Sequence, residues 1–206
     1  VNITGWLGLG IMTTNVTGNF AFLSAQILNK NFSFVILLVL FINAFLAGAF
    51  VSNYLVERGR RKMSTRNSAY VLPIALEIIL VFIIASSRGL WPSLHTQDVW
   101  ISFMLLFAMG LQNALVTRVS DSVVRTTHLT GLFTDLGIEL SQFFFYKTPR
   151  NIERLKRSVF LRILIIIGFT LGGVIGGILF YYFHFRNLYL IVFILFPDLE
   201  FLEILY

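Results

Sequence analysis

One phrase occurs twice in this chain, as Thr13-Thr14-Asn15-Val16-Thr17-Gly18-Asn19-Phe20 and as Thr126-Thr127-His128-Leu129-Thr130-Gly131-Leu132-Phe133. Six of the sixteen positions agree when residues 13–28 are laid on 126–141, and an Asn precedes each copy, Asn2 in the first and Asn113 in the second. Each copy is followed by a long apolar stretch with small residues inside it, Ala47-Gly48-Ala49 in one and Gly172-Gly173 with Gly176-Gly177 in the other. Duplication of this kind constrains the fold more than any single motif, because both halves must then build the same local structure.

The medium follows from composition. With 57% hydrophobic residues, 13% charged residues, 22 Phe and a mean hydropathy of +0.82, the chain departs far from soluble averages and reads as an integral membrane protein. Its net charge of +6 does not point to nucleic acid, since ten of sixteen Lys and Arg lie in two runs, residues 57–66 and 147–157, beside apolar stretches. Runs so placed act as cytoplasmic anchors, with a phospholipid patch as the lesser reading. The absence of Cys excludes disulfides, thiolate metal sites and thiol catalysis. The chain opens at Val1 inside an uncharged run, which reads as the remainder of a first helix.

A helix needs about 20 apolar residues to cross the roughly 30 Å hydrocarbon layer. Five stretches meet that length: 34–52, 69–87, 99–117, 163–183 and 188–205, with a shortened sixth ending near Gly10. The segments that the repeated phrase opens, 17–28 and 130–146, are more polar, and the second carries Asp135 and Glu139. Charge bias arbitrates between a span and a dip. With Arg58, Arg60, Arg61, Lys62 and Arg66 inside, 88–98 lies outside, and Arg118 and Arg125 return inside. A spanning 130–146 would then export Lys147, Arg150, Arg154, Lys156 and Arg157, whereas a segment that enters and turns back keeps them inside. The expected fold is therefore an all-α polytopic transmembrane helical bundle. Residues 1–206 form a single membrane domain of two inverted repeats, 1–87 and 99–206, each with three spans and a re-entrant Thr-Gly half-helix.

The two Thr-Gly phrases, together with Gly110-Leu111-Gln112-Asn113-Ala114 and Thr134-Asp135-Leu136-Gly137, resemble the YoaK family of bacterial membrane proteins over nearly the whole chain. The resemblance implies a six-helix protein of the bacterial plasma membrane. It implies no activity, since that family is known chiefly as a domain of unknown function.

Within a re-entrant segment, Thr17 or Thr130 would cap a half-helix, and Gly18 or Gly131 would admit a second backbone. Two such N-termini meeting near the midplane favour an anionic or carbonyl-bearing group, so Thr17, Gly18, Asn19, Asn113, Thr130 and Gly131 form the candidate solute site. The plainer alternative is that these small residues only pack helices. Glu77 lies within an apolar run, and a charge there costs roughly 2.5 to 3.5 kcal/mol on insertion scales, which makes it a candidate for proton or ion coupling. Glu200 and Glu203 read as interfacial. Asp135 and Glu139 share one helix face and, with His128, form a second candidate relay or cation site. No phosphate loop, zinc-protease motif or serine-hydrolase elbow occurs, and the three His are scattered, so neither a cofactor nor a metal is called for.

Three classes of function remain: transport or conduction of a small solute, chemistry on a lipid or quinone by an embedded enzyme, and a scaffold. The expected partners are the bilayer, an unidentified solute and, at most, a second copy of the chain, but no nucleic acid. Single Cys introduced at Ser64, Ser93 and Asn151 should react with an impermeant thiol reagent on intact cells only at position 93. Strong labelling at 151 would replace the inverted arrangement with a parallel one.

Overall fold

The computed structural model describes residues 1–62, 68–90, 95–119, 128–146 and 148–204. Every element among them is helical. The α-helices are α1 (Asn2–Leu9), α2 (Val16–Leu28), α3 (Phe32–Lys62), α4 (Val71–Leu90), α5 (His95–Val119), α6 (Leu129–Gln142), α7 (Pro149–Phe183) and α8 (Leu188–Ile204), with short 3-10 turns at Ser68–Tyr70 and His184–Asn187. Several sequence expectations lie outside the described residues, namely Ser64, Arg66, Ser93, Arg125, Thr126, Thr127 and Lys147, as do the side chains of Lys62, Glu200 and Glu203.

Among the described residues, three helical stretches are long and apolar enough to cross a membrane: Phe32–Arg61, Asp98–Val119 and Pro149–Phe196. The last runs through both α7 and α8, which the sequence had divided into two spans. The apolar part of α4, Val71–Ser87, is shorter. At 13 and 14 residues, α2 and α6 reach only about 20 Å.

Small residues fix how the long helices meet. A Cβ on Gly48 of α3 would collide with the Phe107 carbonyl oxygen of α5, and a Cβ on Gly110 of α5 would collide with the Phe45 carbonyl oxygen of α3. The contact is reciprocal, with a Gly three residues after a Phe on each side. In lipid no hydrophobic force draws helices together, so close backbone approach at small residues supplies the attraction through dispersion. Phe41 packs edge-on to Phe103, with centroids 5.0 Å apart, on one side of this crossing, and Glu57 pairs with Arg118 on the other. The two helices therefore run in the same direction, and Arg118 shares the end of the bundle that carries Arg58, Arg60 and Arg61.

Helix α5 lies at the centre. Its Ile101, Leu105 and Ala108 join Val81, Ile84 and Ala85 of α4 and Phe185 and Leu188 at the α7–α8 corner. Leu115 joins Val56 and Ile74, and Leu106 joins Leu38 and Phe41. At the far end of α4, Ser86 shares a 2.9 Å hydrogen bond with Tyr189, whose ring meets Phe82 edge-on. So α8 leaves from the end where α4 finishes. Asn187 ties α1 to this corner, its Nδ2 donating to Thr4 Oγ1 at 2.9 Å and to the Gly176 carbonyl at 3.2 Å. Facing outward, α7 carries Ile163, Leu164, Ile167, Leu171, Val174 and Ile178 exposed, as a lipid-facing helix does.

Gly48→Ala and Gly110→Ala should each lower the thermal midpoint of the purified protein, equivalent to about 1–3 kcal/mol of overpacking. Gly172→Ala places its methyl where no atom lies within 4 Å and should leave the midpoint unchanged or raise it. Parent-like melting of both α3 and α5 variants would show that this crossing does not hold the bundle.

Candidate functional site

The first Thr-Gly phrase sits at a break between two helices. α1 ends at Gly10, whose φ of 69° is the left-handed conformation that glycine adopts without strain. The chain then folds back along α1, and Asn2 Oδ1 accepts from Thr13 Oγ1 at 3.4 Å and from the Thr14 N–H at 3.3 Å. The next helix starts at Asn15, whose Oδ1 accepts from the Gly18 N–H at 2.8 Å.

This corrects the expected role of Thr17. Asn15 caps α2 and Thr17 lies in its first turn; likewise His128 caps α6, without a side-chain cap bond, and Thr130 lies in the first turn. The reason is reach. An N-cap oxygen bonds the N–H two or three positions on, and the Asn15 amide meets Gly18 from its position. The glycines also serve a different purpose from the one expected. A Cβ at Gly18 would come within 2.7 Å of Asn15 Nδ2, and one at Gly131 would strike the His128 ring, so each Gly makes room for its own cap side chain rather than for a second backbone.

Both phrases open on one cavity of ≈ 790 Å³. Asn15, Thr17 and Gly18 line it from α2, His128 and Thr130 from α6, and Asn113 and Thr117 from α5, with Asn2 and Thr14 completing the polar wall. Phe45 and Phe169 close it from near the middle of α3 and α7. Asn19 and Gly131, also expected at the site, are not among the lining residues. Asn19 is 4% exposed, and its Nδ2 has no hydrogen-bond partner among the described residues. A second cavity of ≈ 360 Å³ shares Asn113 and Thr117 with the first and extends past Asn53 and Ala114 to Arg118.

Amides, hydroxyls and an imidazole that can donate hydrogen bonds stand among apolar side chains such as Met12, Leu129 and Phe169, and no described lining residue is acidic. The N-terminal ends of α2 and α6 both border this cavity, with the Gly18 N–H taken by the Asn15 side chain. Such a wall can hold a carbonyl or an anion.

The acidic candidates lie elsewhere. Asp135 and Glu139 do share one face of α6, but that face meets Arg162 of α7, whose guanidinium donates to Asp135 Oδ2 at 2.8 Å and to Glu139 Oε2 at 2.9 Å. Ser158 adds a 2.6 Å bond to Glu139. His128 stands seven residues before Asp135, about 10 Å along the helix axis, and belongs to the central cavity. Arg162 escaped the sequence reading, although a single cation inside Phe160-Leu161-Arg162-Ile163-Leu164 was a signal that a carboxylate partner must lie opposite. Glu77 is 1% exposed on α4, and among the described residues neither of its oxygens has a hydrogen-bond partner. Among the described residues no cluster of metal-ligating side chains occurs.

No curated protein and no solved structure matches the chain. A family model described as a protein of unknown function, DUF1275, matches residues 1–197, in agreement with the resemblance carried by the Thr-Gly phrases, and the chain belongs to that family.

Proposed function

We propose that this protein is a multi-pass transporter of a small solute in the bacterial plasma membrane, with the central cavity as its solute site. The observation that carries the reading is one cavity bordered by both Thr-Gly phrases, with a second cavity beside it that shares Asn113 and Thr117 and reaches Arg118. Polar groups from both phrases around one space are what a carrier needs and a packing motif does not.

Inverted repeats supply the framework. In each half a short helix that starts at the cavity is followed by a long one, α2 by α3 and α6 by α7. α3 ends where α4 begins, with Gly59 against Ala69, while α7 ends where α8 begins, beside the finish of α4. Opposite directions for α3 and α7 follow from these contacts and favour inversion over a parallel arrangement. The lengths of α2 and α6 support re-entrant half-helices, since each covers about two thirds of the roughly 30 Å layer.

The donor-rich wall suits a carbonyl-bearing or anionic solute, held by Thr17, Thr130, Asn113 and His128. Glu77 is the proposed coupling group: an unpaired carboxyl at that depth links its charge state to the arrangement of the helices around it. Asp135 and Glu139 instead clamp α6 to α7 through Arg162. An embedded enzyme would need these two acids beside Asn113 and His128, and their engagement with Arg162 weighs against it. A scaffold would need a dry interior, and the Asn and Thr lining weighs against that.

A thermal-shift screen of the purified protein against metabolite pools should find a ligand, because a molecule that binds only the folded state raises apparent stability. Thr17→Val and Thr130→Val should then each weaken that ligand by about 1 kcal/mol or more, and the double variant should lose less than the sum. Strict additivity with intact folding would reduce both threonines to packing residues. In proteoliposomes, Glu77→Gln should abolish solute uptake while Glu153→Gln, on an exposed face, leaves it intact. Equal uptake by the two variants would remove Glu77 from the mechanism.

A further inference from the structure

We propose a second binding site, between the end of α6 and the start of α7, for the phosphate-bearing headgroup of an anionic phospholipid. The cavity there measures ≈ 480 Å³ and is bordered by Gln142, Tyr146, Asn151, Arg154 and Ser158. Asn151, Arg154 and Ser158 follow one another at spacings of three and four, so they stand on one face of α7.

Charge decides what this space accepts. Glu139 also lines the cavity, but it is engaged by Arg162, another lining residue, and by Ser158, and nearby Glu153 is engaged by Arg157 at 2.7 Å. Arg154 has no ion-pair partner among the described residues and borders the cavity directly. A guanidinium binds phosphate through two parallel N–H donors, and the amides of Asn151 and Gln142 and the Tyr146 hydroxyl complete a donor set around it. The run 147–157 holds five cations against the single Glu153, which adds a net attraction for anionic headgroups.

The surroundings select a lipid rather than a free anion. Phe144 and Phe145, 80% and 79% exposed, project from the turn that leads to the cavity, and Phe160 is exposed on α7 beyond it. Exposed aromatic rings beside cationic side chains mark the level where headgroups meet acyl chains. The outward apolar face of α7 then offers a bed for those chains. This site is independent of the transport reading.

The test titrates detergent-purified protein with soluble short-chain phosphatidylglycerol, with phosphatidylcholine of the same chain length and with inorganic phosphate, reading bound lipid by native mass spectrometry and stability by thermal shift. Phosphatidylglycerol should bind and stabilise, and the other two should not. Arg154→Gln should weaken phosphatidylglycerol roughly fivefold or more, while Arg186→Gln, in the turn at the opposite end of α7, leaves it unchanged. Should Arg154→Gln fold poorly, Asn151→Ala reports on the same cavity and should also weaken binding. Equal binding of the two lipids, or undiminished binding in both cavity variants, would overturn the site. Inorganic phosphate that matches phosphatidylglycerol would also overturn it, because the cavity would then serve a free anion.

Discussion

The reciprocal contact between Gly48 and Gly110 is the interaction on which the remaining architecture depends. Apolar side chains gain little by leaving lipid for protein, so helices in a bilayer need another reason to associate, and close backbone approach provides it. Where α3 and α5 cross, each glycine receives the carbonyl of a phenylalanine on the other helix. That crossing draws α5 into the centre, where it contributes to all three apolar clusters. It also sets the height of Asn113 and Thr117, one and two turns past Gly110, and so brings the polar end of α5 to the cavity.

A second constraint comes from the interrupted helices. Backbone polar groups exposed within a bilayer cost several kcal/mol each, so a helix can start inside only where protein or water satisfies it. α2 meets this demand with the Asn15 cap and with the loop that Asn2 pins through Thr13 and Thr14. Both helices start at one cavity, which gathers their polar ends away from lipid. The same arrangement that satisfies the backbone creates a donor-lined space. Structure and candidate function therefore share one cause.

The ionisable residues divide by the partners that the packing provides. Arg162 is held by two carboxylates, one of which also accepts from the Ser158 hydroxyl, so the cost of its depth is offset by charge-assisted bonds. Glu77 has no such compensation among the described residues. The acids thus differ in character, Asp135 and Glu139 fastening two helices and Glu77 buried without a hydrogen-bond partner among the described residues. Arg154 borders the same cavity as Glu139 and, with no ion-pair partner among the described residues, is a cation free to meet something other than protein.

Sequence by itself determined the helical class, the apolar medium, the two Thr-Gly landmarks and the shared face of Asp135 and Glu139. Each of these is written in local composition or in a period of 3.6 residues, which no distant contact can change. Glu77 was legible for the same reason, as one acid inside an apolar run. Tertiary structure decided the rest. It placed the caps at Asn15 and His128, two residues before each Thr, because the course of the loop sets where the helix begins; of the two, Asn15 reaches the N–H three residues ahead. It paired Asp135 and Glu139 with Arg162 and left His128 at the cavity, since a salt bridge between helices depends on their register and not on spacing along either one. It closed the cavity with Phe45 and Phe169, two of 22 phenylalanines that nothing in the chain distinguishes until packing sets which ones face inward.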